Sequence, residues 1–141
     1  SGTTGFPKGV LHGSYSIARA TKGQLVIQPL TRANRILLAS PANHHITQAS
    51  IISCFAAGIP CYVPAGESPE ELLGLIERER CTLVLSFPDI YQGMCEVGLE
   101  RFDLSRVKAW MAGGDSSHEV HIRQFTAQGA MLRLFGKPLI K

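Results

Sequence analysis

Short apolar runs alternating with stretches of helical spacing set the layout of this chain. The runs are 35–39, 61–63, 82–85 and 107–111, with 131–134 a fifth candidate. None alternates polar with apolar residues, so each suits a strand covered on both faces. Residues 14–28 carry a helical pattern, and 47–57, rich in small residues, carry another that Gly58 closes. Residues 69–80 give the clearest helix. Ser68 is placed to cap it, Pro69 suits its first turn, and Glu70 and Glu71 favour its positive end. Leu72, Leu73 and Ile76 form its apolar stripe against Glu77, Arg78 and Glu79. Pro88 opens a further helix with Ile90, Met94 and Val97 on one face, and 117–128 supplies a last one before Gly129.

Strand and helix in alternation predict an α/β fold: a flavodoxin-like, three-layer parallel sheet with helices on both faces. In such sheets ligands collect at the carboxyl ends of strands, so the loops that follow strands carry the interest. Composition fits this picture. At 141 residues the chain is one domain's worth, and 45% hydrophobic with 18% charged residues argues against disorder. A net charge of +3 without a basic run or basic-aromatic interleaving speaks against nucleic acid as a partner. Cys54, Cys61, Cys81 and Cys95 include no Cys-x-x-Cys spacing. Reduced, buried thiols in a cytoplasmic protein are the expectation. The apolar stretch 46–63 is interrupted by Thr47, Gln48, Ser50, Ser53, Gly58 and Pro60, so it reads as helix, turn and strand rather than a transmembrane segment.

The densest chemistry lies in Ser1-Gly2-Thr3-Thr4-Gly5-Phe6-Pro7-Lys8-Gly9-Val10. Glycines let successive backbone N–H groups converge on an anion, hydroxyls add short donors, and a lysine adds a mobile positive charge. That is a phosphate cradle by composition. Its order excludes a Walker loop, which needs Gly-Lys-Ser/Thr, and the dinucleotide Gly-x-Gly-x-x-Gly. Ser1 to Gly9 resembles, position by position, the signature loop of the adenylate-forming (AMP-binding) superfamily, usually written Ser/Thr-Gly-Thr/Ser-Thr-Gly-x-Pro-Lys-Gly. Acyl-CoA synthetases, peptide-synthetase adenylation domains and luciferases make up that superfamily.

Two later turns strengthen the resemblance. Pro41-Ala42-Asn43-His44-His45 follows the run 35–39. Taken by itself, imidazole there could bond a substrate anion, act as a base, bind metal, or stand in solvent. The superfamily has a proline, an aromatic and a histidine at this distance from the loop, and His44 matches that histidine, whose family role is to shape and gate the carboxylate pocket. Asn43 replaces the aromatic, and Ile46-Thr47 replaces a frequent glycine-containing sequence. Gly113-Gly114-Asp115-Ser116 follows the run 107–111 and resembles the family's Gly-Gly turn beside adenine and acyl group, with Asp115 a variant. Read from the residues alone, it is equally a tight turn with a serine cap. Small and hydroxylated residues from Gln48 to Ser53 hint at a pocket wall. No metal-ligand set is expected: His118 and His121 share a helix face without a third ligand. There is no Gly-x-Ser-x-Gly elbow, and Tyr62, Tyr91 and Trp110 read as packing rather than stacking platforms.

The resemblance implies a ligase of the acyl-CoA synthetase type. It would join a carboxylic acid to ATP with Mg2+, release pyrophosphate, and pass the acyl group to coenzyme A. The alternatives are transfer to a carrier-protein phosphopantetheine, or a catalytically inactive nucleotide-binding module. It implies phosphate contacts from Ser1, Gly2, Thr3, Thr4, Gly5, Lys8 and Gly9, with Lys8 and His44 in catalytic positions and Gly113, Gly114, Asp115 and Ser116 near adenine. The family's Tyr-Gly-x-Thr-Glu motif, ribose-binding aspartate and C-terminal lysine domain have no counterpart among these residues. Residues 1–141 are therefore expected to form one subdomain, ending just before Tyr-Gly-x-Thr-Glu, that is inactive without the remainder of its parent polypeptide.

Overall fold

Five strands, all parallel, lie in the order β2-β1-β3-β4-β5. They are β1 (Ile36–Ala39), β2 (Cys61–Tyr62), β3 (Leu83–Ser86), β4 (Ala109–Ala112) and β5 (Ala130–Arg133). This computed structural model describes residues 5–6, 9–27, 30–113, 123, 125 and 130–133. The order is the flavodoxin-like one: the chain steps from β1 outward to β2, then returns past β1 to continue through β3. All five expected runs are strands, displaced by at most two residues. The runs fail to alternate because both faces are covered. Every residue of β1 and of β4 is buried.

Among the described residues the α-helices with full bounds are α1 (Ser14–Ile27), which packs on α2, and α2 (His45–Ala57), α3 (Pro69–Glu79) and α4 (Pro88–Val97), which pack on the sheet. The expected helix over 117–128 lies outside the described residues except at 123 and 125, which are helical. On one face Leu37, Val84 and Trp110 pack with Leu72, Leu73 and Ile76 of α3, Tyr91 and Met94 of α4, and Phe125. On the other, Ile36, Leu38, Leu85 and Met111 pack with Cys54 of α2 and Ile59. Alternate strand residues thus feed two cores, each fully buried side chain contributing about 1.5–3 kcal/mol.

The helix ends follow the local chemistry. Ser68 Oγ accepts the Glu71 N–H at 3.3 Å while Glu71 returns a bond to the Ser68 backbone N–H at 2.8 Å, a complete capping box. Gly58 ends α2 at φ 66°, a left-handed conformation that favours glycine. Tyr91 and Trp110 are core residues, 1% and 0% exposed, as packing predicts. The hydroxylated stretch 48–53 does not wall the cavity described below. Ser50 and Ser53 point instead at α1, where Gln24 Nε2 donates to Ser50 Oγ at 3.2 Å and Ser53 Oγ donates to Gln24 Oε1 at 2.9 Å. Short polar side chains on α2 satisfy another helix rather than a ligand.

Candidate functional site

Where an open sheet reverses its winding, the loops leaving neighbouring strands diverge and open a crevice. Here the reversal lies between β1 and β3, and hydrogen bonds fix both strand ends. Ser86 Oγ donates to the Ala39 carbonyl at 2.6 Å, and Ser40 Oγ pairs with Thr47 Oγ1 at 2.6 Å. The first bond locks β3 to β1; the second locks β1 to α2. Between them runs the turn that bears His44, closed by the His44 N–H to the Pro41 carbonyl at 2.9 Å.

His44 is the N-cap of α2, and its Nδ1 accepts the Ile46 N–H at 3.4 Å. Its ring meets the edge of Phe87 with centroids 4.8 Å apart and planes 81° from parallel. The aromatic neighbour that position 43 does not supply thus comes from the residue after β3. Sequence reasoning missed this pairing because it spans 43 residues (87 − 44) and two strands. A cavity of about 540 Å³ opens beside it at the carboxyl ends of β1, β2 and β3. Ala39, Leu72 and Ile90 give it apolar walls, and Asn43, Glu67 and Asp89 give it polar ones. That volume suits a small organic molecule.

The remaining expected residues divide. Gly5 and Gly9 are exposed, and Gly113 is half-buried directly after β4. Ser1, Gly2, Thr3, Thr4, Lys8, Gly114, Asp115 and Ser116 lie outside the described residues. Of the candidates, the structure therefore places His44 at the switch point, Gly113 two strands along, and Gly5 and Gly9 on the segment leading into α1. One residue missed by sequence reasoning, His12, stacks on His45, the neighbour of His44, with centroids 5.3 Å apart. Among the described residues no three His, Cys, Asp or Glu side chains gather to hold a metal.

The thiols look chemically quiet. Burial pushes Cys54 up to about 12 and Cys81 up to about 11, so thiolate is scarce at neutral pH. All four cysteines are free. Burial likewise raises Tyr91, whose hydroxyl serves the Met111 carbonyl at 2.8 Å. Nothing in that core pair reaches the cavity. No described helix is long and apolar enough to cross a membrane.

An open parallel sheet with a ligand-sized cavity at its switch point defines a doubly wound α/β domain. The chain belongs to the AMP-binding enzyme family of adenylate-forming enzymes, whose model matches residues 1–136. It is 33% identical over 130 residues to a 3-aminoavenalumate diazotase from a Streptomyces species, covering 92% of this chain and 23% of that protein. It is 27% identical over 124 residues to the putative acyl-CoA synthetase YngI of Bacillus subtilis, covering 85% of this chain and 22% of that protein. The chain therefore spans less than a quarter of the length of these relatives. The inhibitor-bound crystal structure of the N-terminal domain of FACL13 from Mycobacterium tuberculosis matches its fold with a TM-score of 0.88 at 24% identity, over 97% of this chain and 35% of that one.

Proposed function

We propose that this chain is one subdomain of an ATP-dependent acid–thiol ligase. The enzyme would form an acyl-adenylate and pyrophosphate, then a thioester with coenzyme A or a carrier-protein thiol. The observation that carries the reading is the pairing of His44 with Phe87 beside a cavity at the switch point, in a chain of the AMP-binding family. Attack of a carboxylate oxygen on the α-phosphorus expels pyrophosphate, and the demand on the protein is to offset charge on both fragments. Ser1, Thr3, Thr4 and Lys8 offer three hydroxyls and an ammonium for the β- and γ-phosphates, with Gly2, Gly5 and Gly9 shaping the loop. His44 borders the carboxylate, and Gly113, Gly114, Asp115 and Ser116 line the adenine end. Magnesium would neutralise phosphate charge when bound. The described residues gather no carboxylate set for it, so no step is assigned to it here.

Carboxylate-dependent ATP–pyrophosphate exchange by the whole enzyme, run over a panel of acids, tests the reading. The panel includes amino-substituted acids, because the Streptomyces relative is named for one. One acid should support exchange, and Lys8→Ala should slow it about 100-fold. ATP binding without exchange for any acid would replace the ligase by a nucleotide-binding module. Thioester formation in a second step, with coenzyme A against a carrier protein, separates the two acceptors. The isolated 141-residue chain is expected to show no exchange.

A further inference from the structure

Two imidazoles stack where the segment after the glycine-rich loop passes the start of α2. His12 stacks on His45, the rings 12° from parallel and 5.3 Å apart. His44, one residue earlier, sets its ring against Phe87. His44 caps α2 and His45 is its first residue, so both rings issue from one rigid helix end. The stack is not core packing: His12, His44 and His45 are all exposed.

Its setting suggests another task. Val10 is 76% exposed and Leu11 fully so, and neither anchors the chain by burial. Gly13 stands just before α1 and is tied to its first turn, accepting from the Ile17 N–H at 3.2 Å and from Ser16 Oγ at 2.8 Å. Among the described residues, the ring stack is the side-chain contact that registers residues 9–12 against α2. Three residues of extended chain reach at most about 10 Å, so the stack at His12 limits how far Gly9 can stand from α2. Charge fits a polyanion as well. The first acidic residue of the chain is Glu67, so the loop, α1 and α2 carry no carboxylate to repel a phosphate.

We propose that His12 is a positioning residue for ATP: by stacking on His45 it fixes the downstream stem of the 1–9 loop to the helix end that carries His44. This rests on the phosphate-loop reading above. A loop held in its bound register spends less of its binding free energy on ordering, so losing the stack weakens nucleotide binding without touching the acid.

The test uses the whole enzyme. The dissociation constant for ATP is measured without acid, and KM for ATP, KM for the acid and kcat are measured in pyrophosphate exchange. His12→Ala should raise both ATP constants about two- to tenfold, the worth of an aromatic pair, while KM for the acid stays unchanged. His12→Phe keeps a ring and should restore wild-type ATP binding. His45→Ala should match His12→Ala, and the double variant should be no worse than either single one. Circular dichroism checks that each variant is folded, and His45→Ala serves if His12→Ala is not. Wild-type ATP affinity in a folded His12→Ala, or failure of His12→Phe to rescue it, overturns the inference alone. A wild-type enzyme that binds no ATP overturns the phosphate-loop reading and this inference with it.

Discussion

On the sheet face that carries α3 and α4, Leu73, Ile76, Tyr91, Trp110 and Phe125 are each no more than 1% exposed. On the face that carries α1 and α2, Tyr15, Val26, Ile27 and Phe55 stand between 74% and 78% exposed. The first face is closed by shape. Trp110 and Phe125 lie 4.7 Å apart, Tyr91 meets Phe125 at 4.8 Å, and α3 brings a complete capping box. On the second face α2 packs on Ile36, Leu38, Leu85 and Met111 through Cys54, and α1 is clasped to α2 by polarity, with Gln24 spanning Ser50 and Ser53, while α1 buries Thr21 alone. Helix pattern thus means different things on the two faces. On α3 the apolar stripe marks the inside, whereas α1 meets α2 through a glutamine and leaves Tyr15, Val26 and Ile27 uncovered in a chain that spans under a quarter of its relatives' length.

The largest test of this contrast substitutes one aromatic on each face. Trp110→Ala should cost about 3–5 kcal/mol, because it empties a fully buried site among packed rings. Phe55→Ala should change unfolding of this chain by less than about 0.5 kcal/mol, since an exposed side chain leaves no cavity. Urea unfolding midpoints at constant slope measure both. A Phe55 loss approaching that of Trp110 would erase the distinction between the faces.

The polar clasp predicts an intermediate effect. Gln24→Ala removes two hydrogen bonds and should cost about 1–2 kcal/mol. Ser53 keeps its bond to the Ala49 carbonyl at 2.9 Å, so α2 itself should hold. Amide hydrogen exchange locates the loss: faster exchange is expected across α1, with α3 and α4 unchanged. Equal acceleration in α3 would show one cooperative unit instead of two differently built faces.

The contrast also explains what the sequence made legible. Strands, α3 and α4 could be read because their residues answer to local rules: unbroken apolar runs, a serine cap, a proline at the first turn. The loop match from Ser1 to Gly9 fixed the family because its specified residues lie side by side. The contact of Ser50 and Ser53 with Gln24 was not legible, because a hydroxyl facing a ligand and one facing Gln24 look alike in sequence. The His44–Phe87 and His12–His45 pairs were illegible for a further reason. Each joins segments more than 30 residues apart through a strand order that only the folded sheet supplies.

The smallest expected effect separates the faces by acid response. Glu71 accepts hydrogen bonds from the Ser68 backbone N–H and from its hydroxyl, and these hold its carboxyl below the usual carboxylate range. A carboxyl depressed in the folded state contributes stability above its unfolded value of about 4.3 and loses it as pH falls through the folded value. Glu71→Gln should therefore be slightly less stable than wild type at pH 7 and 5, and the gap should narrow as pH falls further. Asp103, held low by Ser105, titrates in the same direction, so wild type and variant should both weaken in acid, the variant less. The α1–α2 face has no such group, because the first carboxylate of the chain is Glu67. Its His44 cap instead accepts one long bond of 3.4 Å from the Ile46 N–H. Thermal unfolding with amide exchange at pH 7, 5 and 3 decides the point: if the Glu71→Gln gap is as wide at pH 3 as at pH 7, the box acts through shape rather than charge.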